Sequence, residues 1–413
     1  MKLLLSLMLA LALLVGPIPA RGDSAVRIMI ATDLHYLAPI LYEGSDLFLS
    51  ALRNGDGKIT QESPALLQGL LDEARHQQPD ALLITGDLSF NGERESHEEL
   101  ASALRGFSEE SGIPVWVIPG NHDILNPNAH AYFQGGYAGV ANITEAEFGE
   151  IYAGMCLQTE GAGYSGLVRV GERAWLALLD VGLYSDTPVS FGVFRAGHET
   201  FLRQALAEAE EAGALLVTAT HQSLVDHTDF NAAGFDIWYA DAMKDLLRTH
   251  RASAHLHLSG HIHAQHIVTD DGLTDAATGA LSVSPHLYGM VTVAEDGTVR
   301  YEAQPLCAEH LPDGFHGRSR EWFRSITIDK ERASIAGLQL DEERAEALIA
   351  FAADFNAAFF GGTLQREREA MMAQPAYADW VSLKEQSFFG RYIELLMNEA
   401  GQDGRVWENR PAE

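Results

Sequence analysis

Val115-Trp116-Val117-Ile118-Pro119-Gly120-Asn121-His122-Asp123 is the stretch that decides how this chain folds. Four consecutive apolar residues, three of them β-branched, have the form of a strand buried on both faces. The strand runs through Pro119-Gly120 straight into Asn121, His122 and Asp123, side chains that bind metals or move protons.

The same arrangement recurs along the chain. Residues 26–31, 81–84, 175–179, 215–218 and 255–258 are short apolar runs of the same kind. Between them residues 64–76, 96–111 and 196–212 read as amphipathic helices, which gives an α/β layout with sheets between helices. Glu295-Asp296-Gly297 between residues 290–293 and 299–303 marks a hairpin. The strand ends carry Thr32-Asp33-Leu34-His35, Thr85-Gly86-Asp87, Asp180, Thr220-His221 and Gly260-His261-Ile262-His263. Carboxyl ends of strands in open α/β sheets are where ligands collect. A lone Asp after a strand is ordinarily a turn or cap residue, but several polar segments at strand ends form one pocket. Their donors are oxygen and imidazole without thiolate, a set that suits Mn, Fe or Zn. Seven donors exceed the needs of one ion and fit two metals ~3.5–4 Å apart.

These five blocks, Asp-x-His, Gly-Asp, Gly-Asn-His-Asp, a later His and Gly-His-x-His, resemble the calcineurin-like metallophosphoesterase superfamily over roughly residues 25–305. The resemblance implies a sandwich of two mixed β-sheets flanked by helices. It also implies that Asp33, His35 and His263 bind one metal, that Asn121, His221 and His261 bind the other, and that Asp87 bridges them. His122 would be the catalytic histidine, the general acid for a metal-activated hydroxide attack on phosphorus, with Asp123 orienting its ring. Gly86 to Glu93 with Ser96-His97, Ala280 to His286 with Tyr288-Gly289, and a helical C-terminus are similar to secreted bacterial cyclic nucleotide phosphodiesterases. The function this implies is hydrolysis of phosphodiester bonds in small nucleotides, cyclic ones in the first place. The alternative is a phosphomonoesterase or nucleotidase on the same two divalent or trivalent ions. A binding protein with a dead site would have lost ligands or His122, and none is lost. A zinc peptidase lacks its His-Glu-x-x-His motif.

Charge narrows the partners. The 413 residues hold 28 Lys and Arg against 58 Asp and Glu, a formal net of −30. Such a surface repels nucleic-acid polymers and anionic membranes, whereas bound cations can dominate the field inside a compact site and admit a small anionic phosphoester. Met1-Lys2, an apolar run from Leu3 to Val15 and Gly16-Pro17 have the form of a secretory signal peptide over residues 1–20. The run is too short to span a membrane, which takes about 20 apolar residues. The expected result is a secreted protein with no membrane span after processing. Cys156 and Cys307 are expected as separate thiols, one disulfide being the alternative. Residues 25–308 read as the catalytic domain and 309–413 as a small all-α domain. In the latter Asp341 caps a helix whose Leu348, Phe351, Ala352, Phe355 and Phe359 share a face, and Gly361-Gly362 stops it. That domain is expected to narrow access to the site. The sequence carries no signal for oligomeric state.

Several residues outside the blocks are candidates for the surroundings of the pocket: Asn91 and His97 at its rim, His227 in a loop that could touch substrate, His286 and Tyr288 as lining with packing or surface placement as the alternative, and Asp180 behind a ligand histidine. His257, between Leu256 and Leu258, reads as a structural histidine. Asn54-Gly55-Asp56-Gly57-Lys58-Ile59 hints at a calcium loop, but the required first and twelfth ligands are Leu52 and Ser63, so a solvated surface turn is expected.

Overall fold

The computed structural model describes residues 25–53, 55–185, 187–229 and 234–409. The signal-peptide reading of residues 1–20 lies outside the described residues. Strands in chain order are Val26–Ala31 (β1), Ala81–Thr85 (β2), Val115–Ile118 (β3), the ribbon His130–Phe133 (β4) and Gly136–Gly139 (β5), Gly166–Arg169 (β6), Ala174–Leu178 (β7), Gly192–Val193 (β8), Leu215–Ala219 (β9), Ile237–Trp238 (β10), Ser253–Ser259 (β11), His266–Asp270 (β12), Leu273–Ala277 (β13), Leu287–Val293 (β14), Val299–Pro305 (β15) and Val406–Asn409 (β16). Among the described residues two six-stranded sheets form, ordered β16-β15-β14-β1-β2-β3 and β12-β13-β11-β9-β7-β6. β1, β2 and β3 are mutually parallel, as are β7, β9, β11 and β13, and antiparallel strands complete both sheets.

Strand periodicity explains the layers. On β1, Ile28 and Ile30 point between the sheets, where they meet Leu83, Leu176, Leu178, Val217, Leu256 and Leu258. Met29 and Ala31 point the other way, into a layer completed by Leu66 and Leu70 of one helix (Ser63–Gln77) and Leu100, Leu104 and Phe107 of another (Arg94–Ser111). On the far face Trp175, Ala177 and Leu216 pack on Leu202, Leu206, Met243 and Leu247 from two further helices. Both faces of each central strand are covered, as their unbroken apolar runs required.

The expected α/β sandwich with a helical C-terminal region is therefore present, the latter built from five helices between Phe315 and Glu399. The Asp341 carboxylate caps Glu342–Phe360, accepting from Arg344 N at 2.9 Å. All five residues of that helix's apolar face lie in a core shared with Trp380, Phe389, Ile393 and Leu396. One strand was not anticipated. After the helices, β16 returns to pair antiparallel with β15 at the edge of the first sheet. Cys156, half-buried, and Cys307, exposed, are both free thiols. No helix among the described residues is long and apolar enough to cross a membrane.

Candidate metal centre

The parallel strands deliver their carboxyl ends to one place between the sheets. Asp33, Asp87 and Asn121 follow β1, β2 and β3 from one sheet, and His221, His261 and His263 follow β9 and β11 from the other. Two donor groups result, each with its donor atoms within 4.8 Å of one another: Asp33, His35, Asp87 and His263, and Asp87, His221 and His261. Nε2 of His35 and Nε2 of His263 are 3.1 Å apart, and Nε2 of His263 is 3.2 Å from Asp33 Oδ1. In the second group Nε2 of His221 lies 3.3 Å from Asp87 Oδ1 and 3.2 Å from Asn121 Oδ1. The seven expected ligands are thus brought together, with Asp87 in both groups.

The backbone is bent to achieve this. Asp33, His35, Asp87, His261 and His263 all adopt φ between 42° and 68°, a region costly for residues with a Cβ and typical of strained functional turns. Two glycines of the sequence blocks are explained by close approach. A Cβ on Gly120 would stand 2.3 Å from both the backbone nitrogen and Oδ1 of Asp87, and one on Gly260 would stand 2.0 Å from Thr32 Oγ1. Gly120→Ala is expected to cost about 1–3 kcal/mol, as overpacking does, and to displace Asp87. A thermal melt and a metal titration check this, and a wild-type result in both would refute it.

Ring orientation is set behind the donors. His221 donates from Nδ1 to the Thr85 carbonyl at 2.8 Å, which leaves Nε2 facing Asp87. Asp33 Oδ2 accepts from Thr32 Oγ1 at 2.8 Å and His261 N at 2.9 Å. Burial opposes ionisation of Asp33 and Asp87, but facing histidines outweigh it and hold both carboxyls below their usual range. Burial likewise opposes charge on His221, and the Asp87 carboxylate overrides it, raising the imidazole to about 9. Burial and the neighbouring His221 keep His261 down at about 3. Asp33 Oδ1, Asp87 Oδ2 and His261 Nε2 are buried without any hydrogen-bond partner. Buried polar atoms are ordinarily satisfied. Unpartnered oxygen and imidazole donors distributed over the two donor groups are the donor set a pair of hard or borderline cations requires.

His122 stands at the mouth, its side chain 30% exposed and Nε2 3.9 Å from Asp87 Oδ2. Its Nδ1 donates to the Phe90 carbonyl at 2.9 Å and lies 3.0 Å from Asn91 Oδ1. Asp123 was expected to orient this ring and does not. Its carboxylate accepts from the backbone nitrogens of Leu88, Ser89 and Gly120 at 3.1, 2.9 and 2.8 Å, so it organises the turn after β2. A carboxylate with three amide donors in a tight turn has no reach left for the neighbouring ring.

The peripheral expectations divide. Asn91 lies at the site through its contact with His122. His97 is buried on the Tyr152 hydroxyl and the Asp123 carbonyl, away from the rim. His227 packs behind the site against His266 and Asp275, with ring nitrogens of the two histidines 3.1 Å apart. His286 donates to the Leu281 carbonyl, and Tyr288 to Glu73 and Gln304, so both are structural. Asp180 accepts from Tyr164 N, Gly182 N and the Tyr184 hydroxyl and touches no ligand histidine. His257, between the hydroxyls of Thr218 and Thr220, is the structural histidine expected.

Two residues at the centre were missed. Asp56, expected on a solvated turn, accepts from Nδ1 of His263. Phe235, 38% exposed, lies 5.1 Å from His261 between ring centroids. Phe235 sits in no motif or period that could announce it, and Asp56 lies in the calcium-loop-like stretch that reads from sequence as a surface turn.

A family model for calcineurin-like phosphoesterases matches residues 26–265, more than half the chain. The chain belongs to the calcineurin-like phosphoesterase family. A second model, the C-terminal domain of cyclic nucleotide phosphodiesterase, matches residues 314–403 of this phosphoesterase. A curated relative named "Probable cyclic nucleotide phosphodiesterase" from a Synechococcus species is 38% identical over 104 residues, which is 25% of this chain and 33% of the relative. The match therefore spans about a third of that relative's length. Among solved structures, a dimetal phosphatase from Danio rerio superposes with a TM-score of 0.51 at 14% identity, covering 69% of this chain and 98% of that one, a likeness of fold.

Proposed function

We propose that this chain is a dinuclear-metal phosphodiesterase acting on small nucleotides, cyclic ones by preference, after export from the cytoplasm. The observation that carries the reading is the double donor cluster sharing Asp87, with His122 poised at its mouth and outside either donor group. Asp33, His35 and His263 would hold one cation and Asn121, His221 and His261 the other, with Asp87 common to both. Two such cations supply positive charge for phosphate oxygens and lower the pKa of bound water. The chain's own residues do the rest. The paired carboxylates and imidazoles fix where the phosphate sits, and His122 offers Nε2 to the leaving oxygen while the Phe90 carbonyl keeps its other nitrogen protonated. Phe235 presents an aromatic face beside His261 on which a base can stack. The matched C-terminal domain supports the cyclic-nucleotide class, and the form of residues 1–20 supports export.

With Mn²⁺ added, cyclic nucleotides are expected to be hydrolysed at least about tenfold faster, by kcat/KM, than the matching monoesters, a gap of about 1.4 kcal/mol in transition-state binding. Paired assays of 3′,5′- and 2′,3′-cyclic nucleotides, linear diesters and monoesters measure it. A tenfold preference for the monoester would replace this reading with a phosphomonoesterase.

A further inference from the structure

The turn at 55–59 is not a free surface turn. The Asp56 carboxylate bonds Nδ1 of His263, on the side of the ring away from Nε2 and the donor group. Its second oxygen is 3.5 Å from the Lys58 ammonium, whose side chain is only 14% exposed. The turn is held from the helical region, chiefly by the helix Phe315–Ile335. Trp322 Nε1 donates to the Lys58 carbonyl at 3.1 Å and Lys330 Nζ to the Gly55 carbonyl at 2.5 Å. The Phe323 ring fills the place where a Cβ on Gly57 would stand, 2.5 Å away. Arg53, just before the turn, pairs with Asp329 at 3.2 Å and lies over Trp322. The strand-end loop of His263 is gripped on its other side as well. Ile262 and Ala264 alternate with the two histidines and pack into the helical core, and Gln265 N donates to the Phe360 carbonyl at 3.0 Å.

We infer that Asp56 is a positioning residue for His263, and that the helical region tunes the metal centre by clamping the turn that carries it. This rests on the dinuclear reading above. A carboxylate on the outer nitrogen of a ligand histidine fixes the ring's orientation and tautomer and makes the inner nitrogen a stronger donor. Lys58 meets the second carboxylate oxygen, so the half-buried acid is not left uncompensated.

The test uses the full chain and Mn²⁺ alone, with binding followed by calorimetry and electron paramagnetic resonance. Asp56→Ala is expected to weaken one of two Mn²⁺ sites by about 10–100-fold, the usual cost of losing such a partner, and to leave the other unchanged. Asp56→Asn keeps an acceptor for Nδ1 without the charge and should recover part of the loss. If the alanine variant melts early, the asparagine variant carries the test. Trp322→Phe and Phe323→Ala, which loosen the turn, should weaken the same site and add little to Asp56→Ala, since coupled residues are non-additive. Wild-type Mn²⁺ affinity in both Asp56 variants overturns the inference. His263→Ala separates the two claims. If it loses one Mn²⁺ while the Asp56 variants lose none, only the positioning role fails. If it keeps both, His263 is not a ligand and the inference fails with that assignment, whereas a wild-type chain that binds only one Mn²⁺ is the result that sinks the dinuclear reading.

Discussion

Replacing His122 with alanine should lower kcat for an unactivated phosphodiester by about 10²–10⁴-fold, the usual contribution of general acid catalysis, while Mn²⁺ binding stays at the wild-type level. The geometry separates the two properties. His122 is outside both donor groups, its Nδ1 is committed to the Phe90 carbonyl, and its Nε2 faces the space above Asp87. Burial lowers the affinity of this imidazole for a proton, and the Asp87 carboxylate partly restores it. An ester with a nitrophenolate leaving group does not need that proton and should lose far less. Running both substrates on the variant, with a metal titration alongside, decides the matter. An equal loss on the two esters would mean that His122 places the phosphate instead of protonating the leaving group, and a lost metal would make it a ligand.

Asp87→Ala is expected to do more damage still, taking hydrolysis down to the metal-only background, a fall of roughly 10³-fold or more once neither ion can activate water. Asp87 stands in both donor groups. Its Oδ1 is 3.3 Å from His221 and its Oδ2 3.7 Å from His35. Its Oδ1 also accepts from the His122 backbone nitrogen at 2.9 Å, tying the turn after β3 to the turn after β2. Metal analysis after desalting should find both equivalents depleted, whereas His221→Ala and His35→Ala should each deplete one. Two full equivalents in Asp87→Ala would show that the clusters bind independently and that Asp87 does not bridge.

Much of this centre could be read from sequence because its parts are local. Each donor follows an apolar strand within a few residues, and strand direction alone carries Asp33, Asp87 and Asn121 to one end of a sheet. The alternation of Ile28 and Ile30 with Met29 and Ala31 is likewise a short-range pattern. What escaped depends on contacts between distant segments. Asp56 reaches His263, 207 positions away, from a turn that a helix beginning at Phe315 holds through Trp322 and Lys330. Asp123 lies beside His122 in sequence, yet a tight turn gives its carboxylate to backbone amides further off, and adjacency misled. His227 and Asp180 follow strand ends but point into packed interior behind the donors. Four residues of β16 are too few to register as a strand without the edge of β15 beside them.

That last strand changes what the helical region is in engineering terms. Its first helix begins soon after β15, and the chain comes back to the same sheet edge through β16, so the region is an insertion between two adjacent strands and not a tail. Cutting the chain after residue 308 would remove an edge strand along with the helices and expose the backbone of β15, an invitation to edge-to-edge association. A clean excision would join the end of β15 to residues 406–409 through a short turn. Conversely, a load applied to the chain just after residue 409 would meet β16 first, which makes four paired residues the latch of a unit that reaches the metal centre.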